Sequence, residues 1–239
     1  MTRTLSQEMP IQREGKFLVT QTQGITPSIG IESDQLDACI AHARREPFDG
    51  VFGSPSFDFH EDNLDFLRKL PRLRQVWFWD CELSSVDALY TLEDLEYCGV
   101  MAKRPGIDYS RFPRLHTVVA HWNPKDSGLE SSQIRKFYYW HYKPRTKSFE
   151  GVSFPPETEE LKLNWVNPRS LDGLRPMQKL RELGIHRSRN MEDLSLLPII
   201  APQLKKLIVT SSKRVTDFTG IEDHPNIELA IIDGTRIKG

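Results

Sequence analysis

A short apolar spacing recurs along most of the chain. Apolar side chains stand three and five positions after Leu73, at Val76 and Phe78, in the pattern L-x-x-L-x-L. From Leu73 onward the copies follow one another at intervals of 19 to 24 residues. Such a period predicts a repeat architecture in which neighbouring copies bury a shared core. The first residues of the copies, here called anchors, are Phe48, Leu73, Leu95, Leu115, Ile134, Thr158, Leu180, Leu204 and Ile227.

Each copy predicts one short β-strand with a buried and an outward face. Successive side chains of a strand point to opposite sides, so residues three and five after an anchor share the core face. Residues four and six after an anchor then point outward. We therefore expect burial of Val76, Phe78, Val118, Phe137, Leu161, Leu163, Leu183, Ile185, Leu207 and Val209.

The segments between strands carry apolar residues at every third position. The first clear example is Leu83, Val86, Leu89 and Leu92. A three-residue spacing suits a tight 3-10 or helical return. Each strand is therefore expected to be followed by a short helical segment that leads back to the next strand.

Stretches such as "LSSVDALYTLEDL" and "RSLDGLRPMQKLREL" resemble the 22-residue class of leucine-rich repeats found in internalin-like bacterial proteins. The resemblance covers about residues 48–237. It implies an α/β repeat solenoid: a leucine-rich repeat horseshoe with a parallel β-sheet on its concave side and short helical or 3-10 returns on its convex side. The family's usual Asn, eight residues after the anchor, is matched only by Asn123, so irregular curvature is expected.

The first 47 residues do not follow the repeat. Residues 16–21, "KFLVTQ", predict a strand, and the stretch from Ser33 predicts a helix with a serine cap and an apolar face formed by Leu36, Cys39, Ile40 and Ala43. Because a solenoid needs a covered end, residues 1–47 are interpreted as an N-terminal α/β cap. Residues 48–239 are interpreted as the solenoid, in one continuous domain.

Aromatic and apolar residues dominate the outward positions of the N-terminal half. Gly99 lies between Trp77 and Val119 and predicts a dent in this surface. Large exposed apolar patches mark interaction sites, and Trp and Tyr are enriched in binding hot spots. The alternative is that the cap or a loop covers the rings and makes them core. The candidate partner-binding residues are Phe52, Trp77, Trp79, Met101, Val119, His121, Tyr138, Trp140 and Tyr142.

Composition narrows the classes of function. The chain has 239 residues and a net charge of -1, with 32 basic and 33 acidic residues, so no global field attracts nucleic acid. The N-terminus has no apolar signal region, and no apolar run reaches the length of a membrane span. Three cysteines without a CxxC pair predict reduced thiols and no structural zinc. A cytoplasmic protein without cofactor or metal is expected.

Catalytic chemistry finds little support in the sequence. The predicted sheet separates His121 from His186 by three strands, too far for a shared metal. Cys81 is expected on the outward side, two strands from His121 and beyond hydrogen-bond reach. The stretch Asp58, His60, Glu61 and Asp62 has suitable residue types for an acid/base pair but no recognised spacing. The chain is therefore interpreted as a non-enzyme, with this loop as the alternative.

Basic residues gather in the C-terminal repeats, at Arg187, Arg189, Lys205, Lys206, Lys213 and Arg214. Acidic neighbours dilute them, so nucleic-acid binding is not favoured, although a phosphate-bearing partner stays open. The sequence therefore predicts a protein-protein interaction module whose aromatic concave face binds a protein of unknown identity. A bacterial toxin-immunity protein, which would bind its cognate toxin, is the alternative role.

Overall fold

The structure is a computed structural model that describes residues 11–22 and 25–239. The described chain divides into two compact units. The first contains the residues up to Ile107 together with Arg111–Leu115, and the second contains Asp108–Ser110 together with His116–Gly239. Part of the predicted cap, residues 1–10 and 23–24, lies outside the described residues.

In its described residues, the first unit carries six strands and one α-helix. β1 pairs with β2 and β2 with β3 in antiparallel fashion, whereas the pairs β3–β4, β4–β5 and β5–β6 are parallel. The helix α1 lies between β3 and β4 in the chain. The bounds are β1 Ile11–Glu14, β2 Phe17–Thr22, β3 Ile25–Gly30, α1 Leu36–Arg45, β4 Gly50–Gly53, β5 Gln75–Glu82 and β6 Tyr97–Lys103.

The second unit carries seven strands and two short helices. Its strands pair in chain order, and each pair from β7 to β12 is parallel. The last strand, β13, pairs antiparallel with β12. The bounds are β7 Thr117–His121, β8 Lys136–Trp140, β9 Glu160–Asn164, β10 Glu182–His186, α2 Leu197–Ile200, β11 Lys206–Thr210, α3 Thr219–Glu222, β12 Leu229–Ile232 and β13 Thr235–Lys238.

The sheets are therefore mostly parallel. Short turns of helix lie in the returns after β3 to β7, β10 and β11, whereas the returns after β8 and β9, which the structure describes in full, contain turns but no helix, so the expectation of a helical segment after every strand is wrong for these two. The three-residue apolar spacing of the returns produces 3-10 turns in which Leu67 and Leu89 are fully buried. The 3-10 segments are Ser33–Gln35, Pro55–Phe57, Asp65–Lys69, Asp87–Thr91, Tyr109–Arg111 and Leu129–Ser131.

The predicted phase of the strands is confirmed. Equivalent residues of neighbouring copies lie side by side, as Leu183 does with Leu161 and Leu207. All ten residues expected in the core are at most 4% exposed. Burial of each such side chain stabilises the fold by about 1.5–3 kcal/mol.

A left-handed residue follows four of the strands directly and interrupts β5 near its end, and it changes which side chain is buried next. Residues seven positions after their anchors have φ between 51° and 60°; they are Asp80, His141, Trp165, Arg187 and Ser211. The next residues are all buried, namely Cys81, Tyr142, Val166, Ser188 and Ser212. The prediction that Cys81 and Tyr142 face outward is therefore wrong, because the strand alternation ends at the left-handed turn.

The N-terminal segment contains the predicted strand and helix with one difference in detail. The strand is β2, and Cys39, Ile40 and Ala43 of α1 are buried as expected. Ser33, however, does not cap the helix. It begins a 3-10 turn, and its Oγ accepts a hydrogen bond from the backbone N–H of His60 at 2.8 Å. The described strands β2 and β3 continue the sheet edge to edge with β4.

Candidate interaction surfaces

Phe52, an outward residue of β4, is only 1% exposed and so belongs to the core of the first unit. The ring of Phe57, from the 3-10 turn after β4, meets it edge-on with centroids 6.3 Å apart, and Trp79 stacks beside it at 6.3 Å. Gly30 makes room for the ring, because a Cβ there would lie 2.9 Å from Phe52 Cζ. For Phe52, the alternative that a loop covers the outward ring is therefore correct.

The two tryptophans of β5 are partly exposed and form an aromatic cluster. Trp79 lies 5.8 Å from both Trp77 and Phe57, and Trp77 lies 5.9 Å from Tyr97. Met101 on β6, opposite Trp79 in the parallel register, is also partly exposed. These partly exposed residues, Phe57, Trp77, Trp79, Tyr97 and Met101, are here called the first aromatic cluster.

Trp77 turns its polar edge inward. Its Nε1 is buried and has no hydrogen-bond partner among the described residues, as is also true of Thr20 Oγ1. Both residues line a cavity of about 10 Å³, the size of one water molecule. Trp79 stacks on Phe52 and is the tryptophan of this cluster better placed to meet a partner. In the second unit, Nε1 of Trp140 is buried without a hydrogen-bond partner among the described residues, as it is in Trp77.

The dent predicted at Gly99 is not open. A Cβ at this position would lie 3.1 Å from Tyr97 Cε1 and 3.4 Å from Trp77 Cγ. The flanking rings therefore already occupy the space that a partner's side chain was expected to enter. Gly99 is itself buried, so the expectation of a receptor dent was wrong.

On the second unit, Tyr138 belongs to a partly buried polar group. Its Oη lies 3.0 Å from Glu160 Oε1, and Lys162 Nζ lies 2.6 Å from the same carboxylate and 4.3 Å from the Tyr138 ring centroid. Burial raises the pKa of Glu160, but hydrogen bonds and the charge of Lys162 outweigh it and lower the pKa overall. Glu160 is therefore held as a carboxylate between the two neighbours.

Trp140 forms a stack on the same unit with His141 and Trp165, which were not among the predicted binding residues, and with Arg187, which the sequence indicated only as one of several basic residues. Trp165 lies 5.1 Å from Trp140 and stacks on His141 at 5.4 Å, with ring planes 24° apart. The Arg187 guanidinium carbon lies 4.5 Å above the Trp165 ring. His141, Trp165 and Arg187 are the left-handed residues after β8, β9 and β10. The signal that could have found them is their shared place, seven residues after an anchor.

The remaining candidates of the second unit divide between surface and core. His121 is partly exposed, and its ring centroid lies 5.1 Å from that of His141. Val119 is only 6% exposed. Tyr142 is 2% exposed, stacks on Phe149 and donates a hydrogen bond from its hydroxyl to the Ser148 carbonyl at 3.2 Å. Val119 and Tyr142 therefore cannot form part of an outward surface.

Among the groups considered for catalysis in the first unit, Cys81 is buried, whereas Asp58, His60 and Asp62 are exposed. Burial, with the charge of Asp80, raises the pKa of Cys81 to about 11, so its thiol is protonated at neutral pH. In the loop after β4, the Asp62 carbonyl accepts hydrogen bonds from the backbone and side chain of Ser84. Within the described chain, no group of three or more His, Cys, Asp or Glu side chains is arranged to hold a metal ion.

The basic residues of the C-terminal repeats fall into two sets. Three of them are ion-paired: Lys205 with Glu228, Lys206 with Glu182 and Arg214 with Glu192. The other three, Arg187, Arg189 and Lys213, are exposed and form no ion pair with any residue that the structure describes. The sequence alone could not separate these sets, because pairing depends on the neighbouring strand.

No protein-family model matches the chain, and no curated protein matches it. In the described parts of the chain, every helix is too short or too polar to cross a membrane.

Proposed function

We propose that this chain is a leucine-rich repeat protein that binds another protein through outward aromatic residues of its strands. The proposal is supported by the repeated strand-and-return pattern, by the parallel register of equivalent residues and by the buried apolar positions. In this proposal the strands line the concave side of a horseshoe. A cytoplasmic location stays a prediction from the sequence.

The observation that carries the binding role is the partial exposure of large aromatic rings on the outward faces. Trp79 in the first unit, and Tyr138 and Trp140 in the second, lie at outward strand positions and keep part of their surface accessible. Trp79 and Trp140 contact further rings, and Tyr138 contacts Glu160 and Lys162, so the three side chains are already ordered before a partner arrives. Trp and Tyr of this kind are the residues most enriched in binding hot spots.

Single alanine variants of Trp79 and Trp140 test the proposal. Because both rings are partly exposed, each change is expected to lower the free energy of unfolding by about 1–2 kcal/mol, below the 3–5 kcal/mol typical of a buried aromatic. Each is expected to weaken partner binding by about 2 kcal/mol, or roughly thirtyfold. Thermal melts and capture from the source cells with quantitative mass spectrometry measure the two effects.

Ile199→Ala is the matched control. Ile199 is 64% exposed and lies on α2, away from the outward strand positions. Wild type and this variant should capture the same protein. Direct titration of the purified captured protein with the purified chain then confirms that the two bind each other. Equal capture by wild type, Ile199→Ala and both tryptophan variants would contradict a binding role for the aromatic faces.

A further inference from the structure

Unpaired cations and stacked rings follow one edge of the second unit. Residues seven and nine positions after the anchors flank the buried eighth position, so both emerge at the ends of β8 to β11. Six of them are here called the basic strip: His141, Lys143, Trp165, Arg187, Arg189 and Lys213. Lys143, Arg187, Arg189 and Lys213 are exposed, and the two rings are partly exposed.

The backbone holds the strip in a regular row. The left-handed residues donate their N–H groups to the next strand, from His141 to the Asn164 carbonyl at 2.9 Å and from Arg187 to the Thr210 carbonyl at 2.7 Å. Neighbouring parallel strands lie about 4.8 Å apart, so the strip extends over about 14 Å from β8 to β11. An extended peptide of about four or five residues covers the same distance.

Arg187 is prepared to bind an anion. Its guanidinium carbon lies 4.5 Å above the Trp165 ring, and Trp165 in turn stacks on His141. A stacked guanidinium keeps its N–H donors free at its edge, where they match the two oxygens of a carboxylate. Arg187 forms no ion pair with the described residues, so these donors are not already used within the protein.

Charge complementarity then identifies the kind of partner. The strip carries four cations without ion-pair partners among the described residues, whereas nearby cations at other positions, such as Lys206 and Arg214, are neutralised by glutamates. Burial, with the charge of Lys143, lowers the pKa of His141, so its ring stays neutral and serves as a stacking surface. The net charge of -1 gives no long-range attraction for a polyanion such as nucleic acid.

We propose that the basic strip binds a short, extended, acidic segment of a protein partner. The inference rests on the proposed protein-binding function and adds a second contact region to it. Carboxylates of the segment pair with Arg187, Arg189 and Lys213, and the apolar stems of the segment lie along the rings of Trp165 and His141.

Fluorescence anisotropy with labelled hexaglutamate tests the proposal, and labelled hexaglutamine is its uncharged match. The double variant Arg187→Gln/Arg189→Gln is compared with Lys205→Gln/Lys206→Gln, which removes the same charge from ion-paired positions of the same unit. At about 50 mM salt, where screening is weak, we expect the first variant to weaken hexaglutamate binding about tenfold or more and the second less than about threefold. Thermal melts of both variants establish that they are folded.

Three results would overturn the proposal. These are equal weakening by the two double variants, no binding of hexaglutamate to the wild type, and tighter binding of an oligothymidylate than of hexaglutamate. Trp79 lies in the other unit, so the variant Trp79→Ala tests the proposed protein-binding function independently of the basic strip. If Trp79→Ala loses the captured partner while Arg187→Gln/Arg189→Gln leaves hexaglutamate binding unchanged, the strip is refuted and the protein-binding function stands.

Discussion

The two units use the same left-handed turn for different chemistry. In the first unit the turn residue is Asp80, and Glu82, two positions further, pairs with Lys103. In the second unit the turn residues include Trp165 and Arg187, which stack on each other. The backbone geometry therefore decides where a side chain projects, whereas the residue type at that position decides what the edge of the sheet can bind.

The aromatic surfaces differ in the same way. In the first aromatic cluster, Phe57 from a loop covers Phe52 and leaves Trp79 at the surface. In the second unit the ring of Trp140 contacts that of Trp165 at the end of the next strand, and Arg187 lies over Trp165. The first unit thus offers an apolar contact, and the second offers an aromatic contact beside positive charge.

The largest expected effect concerns the buried strand positions that each unit contains. Phe78→Ala in the first unit should lower the free energy of unfolding by about 3–5 kcal/mol, and Leu183→Ala in the second by about 2–5 kcal/mol, because each leaves a cavity. Denaturant unfolding measures both. Trp77→Ala is the control at an outward position, and a greater loss for Trp77→Ala than for Phe78→Ala would contradict the phase of the strands.

A smaller effect on the free energy of unfolding is expected in the second unit at mildly acidic pH. Burial, with the charge of Lys162, lowers the pKa of His186 to about 4, and its Nδ1 lies 2.8 Å from Thr210 Oγ1. Between pH 6.5 and about 4, His186 is therefore protonated to a greater extent in the unfolded chain than in the folded one. The free energy of unfolding should fall as the pH falls through this window, by at most about 3 kcal/mol.

His186→Gln tests this pH dependence. The variant keeps a polar side chain that does not titrate, so its free energy of unfolding should change less between about pH 7 and about pH 4.5 than that of the wild type. His60→Gln, at an exposed position of the first unit, is the matched control. An unchanged pH dependence in His186→Gln would show that His186 is not the group responsible.

The smallest expected effect compares the left-handed turns themselves. Asp80→Gly should raise the free energy of unfolding by about 0.5–1 kcal/mol, because glycine adopts positive φ without steric cost. Trp165→Gly gains the same relief but loses ring contacts with Trp140, His141 and Arg187, so it should be destabilising. Thermal melts of the two variants measure the difference. Destabilisation by Asp80→Gly would indicate that the aspartate side chain contributes to the turn.

The sequence by itself determined the repeat, the strands and the phase of their buried residues. Val76 and Phe78 could be assigned because a strand alternates with a period of two and the anchors repeat regularly. The 3-10 returns, such as the one that buries Leu89, could also be predicted, because a three-residue spacing places the apolar side chains on one side of a 3-10 turn. These features depend on neighbours within a few residues along the chain, and a local pattern is sufficient to reveal them.

Only the tertiary structure decided where that alternation ends and which surface groups are covered or paired. Tyr142 and Cys81 are buried because the residue before each has positive φ, and neither of these residues is a glycine that would mark the turn. Phe52 is covered by Phe57 from a following loop. Lys206 is neutralised by Glu182 on the adjacent strand, whereas Arg187 stacks on Trp165. Each outcome depends on contacts between residues distant in the chain or on a turn geometry that several residue types can adopt.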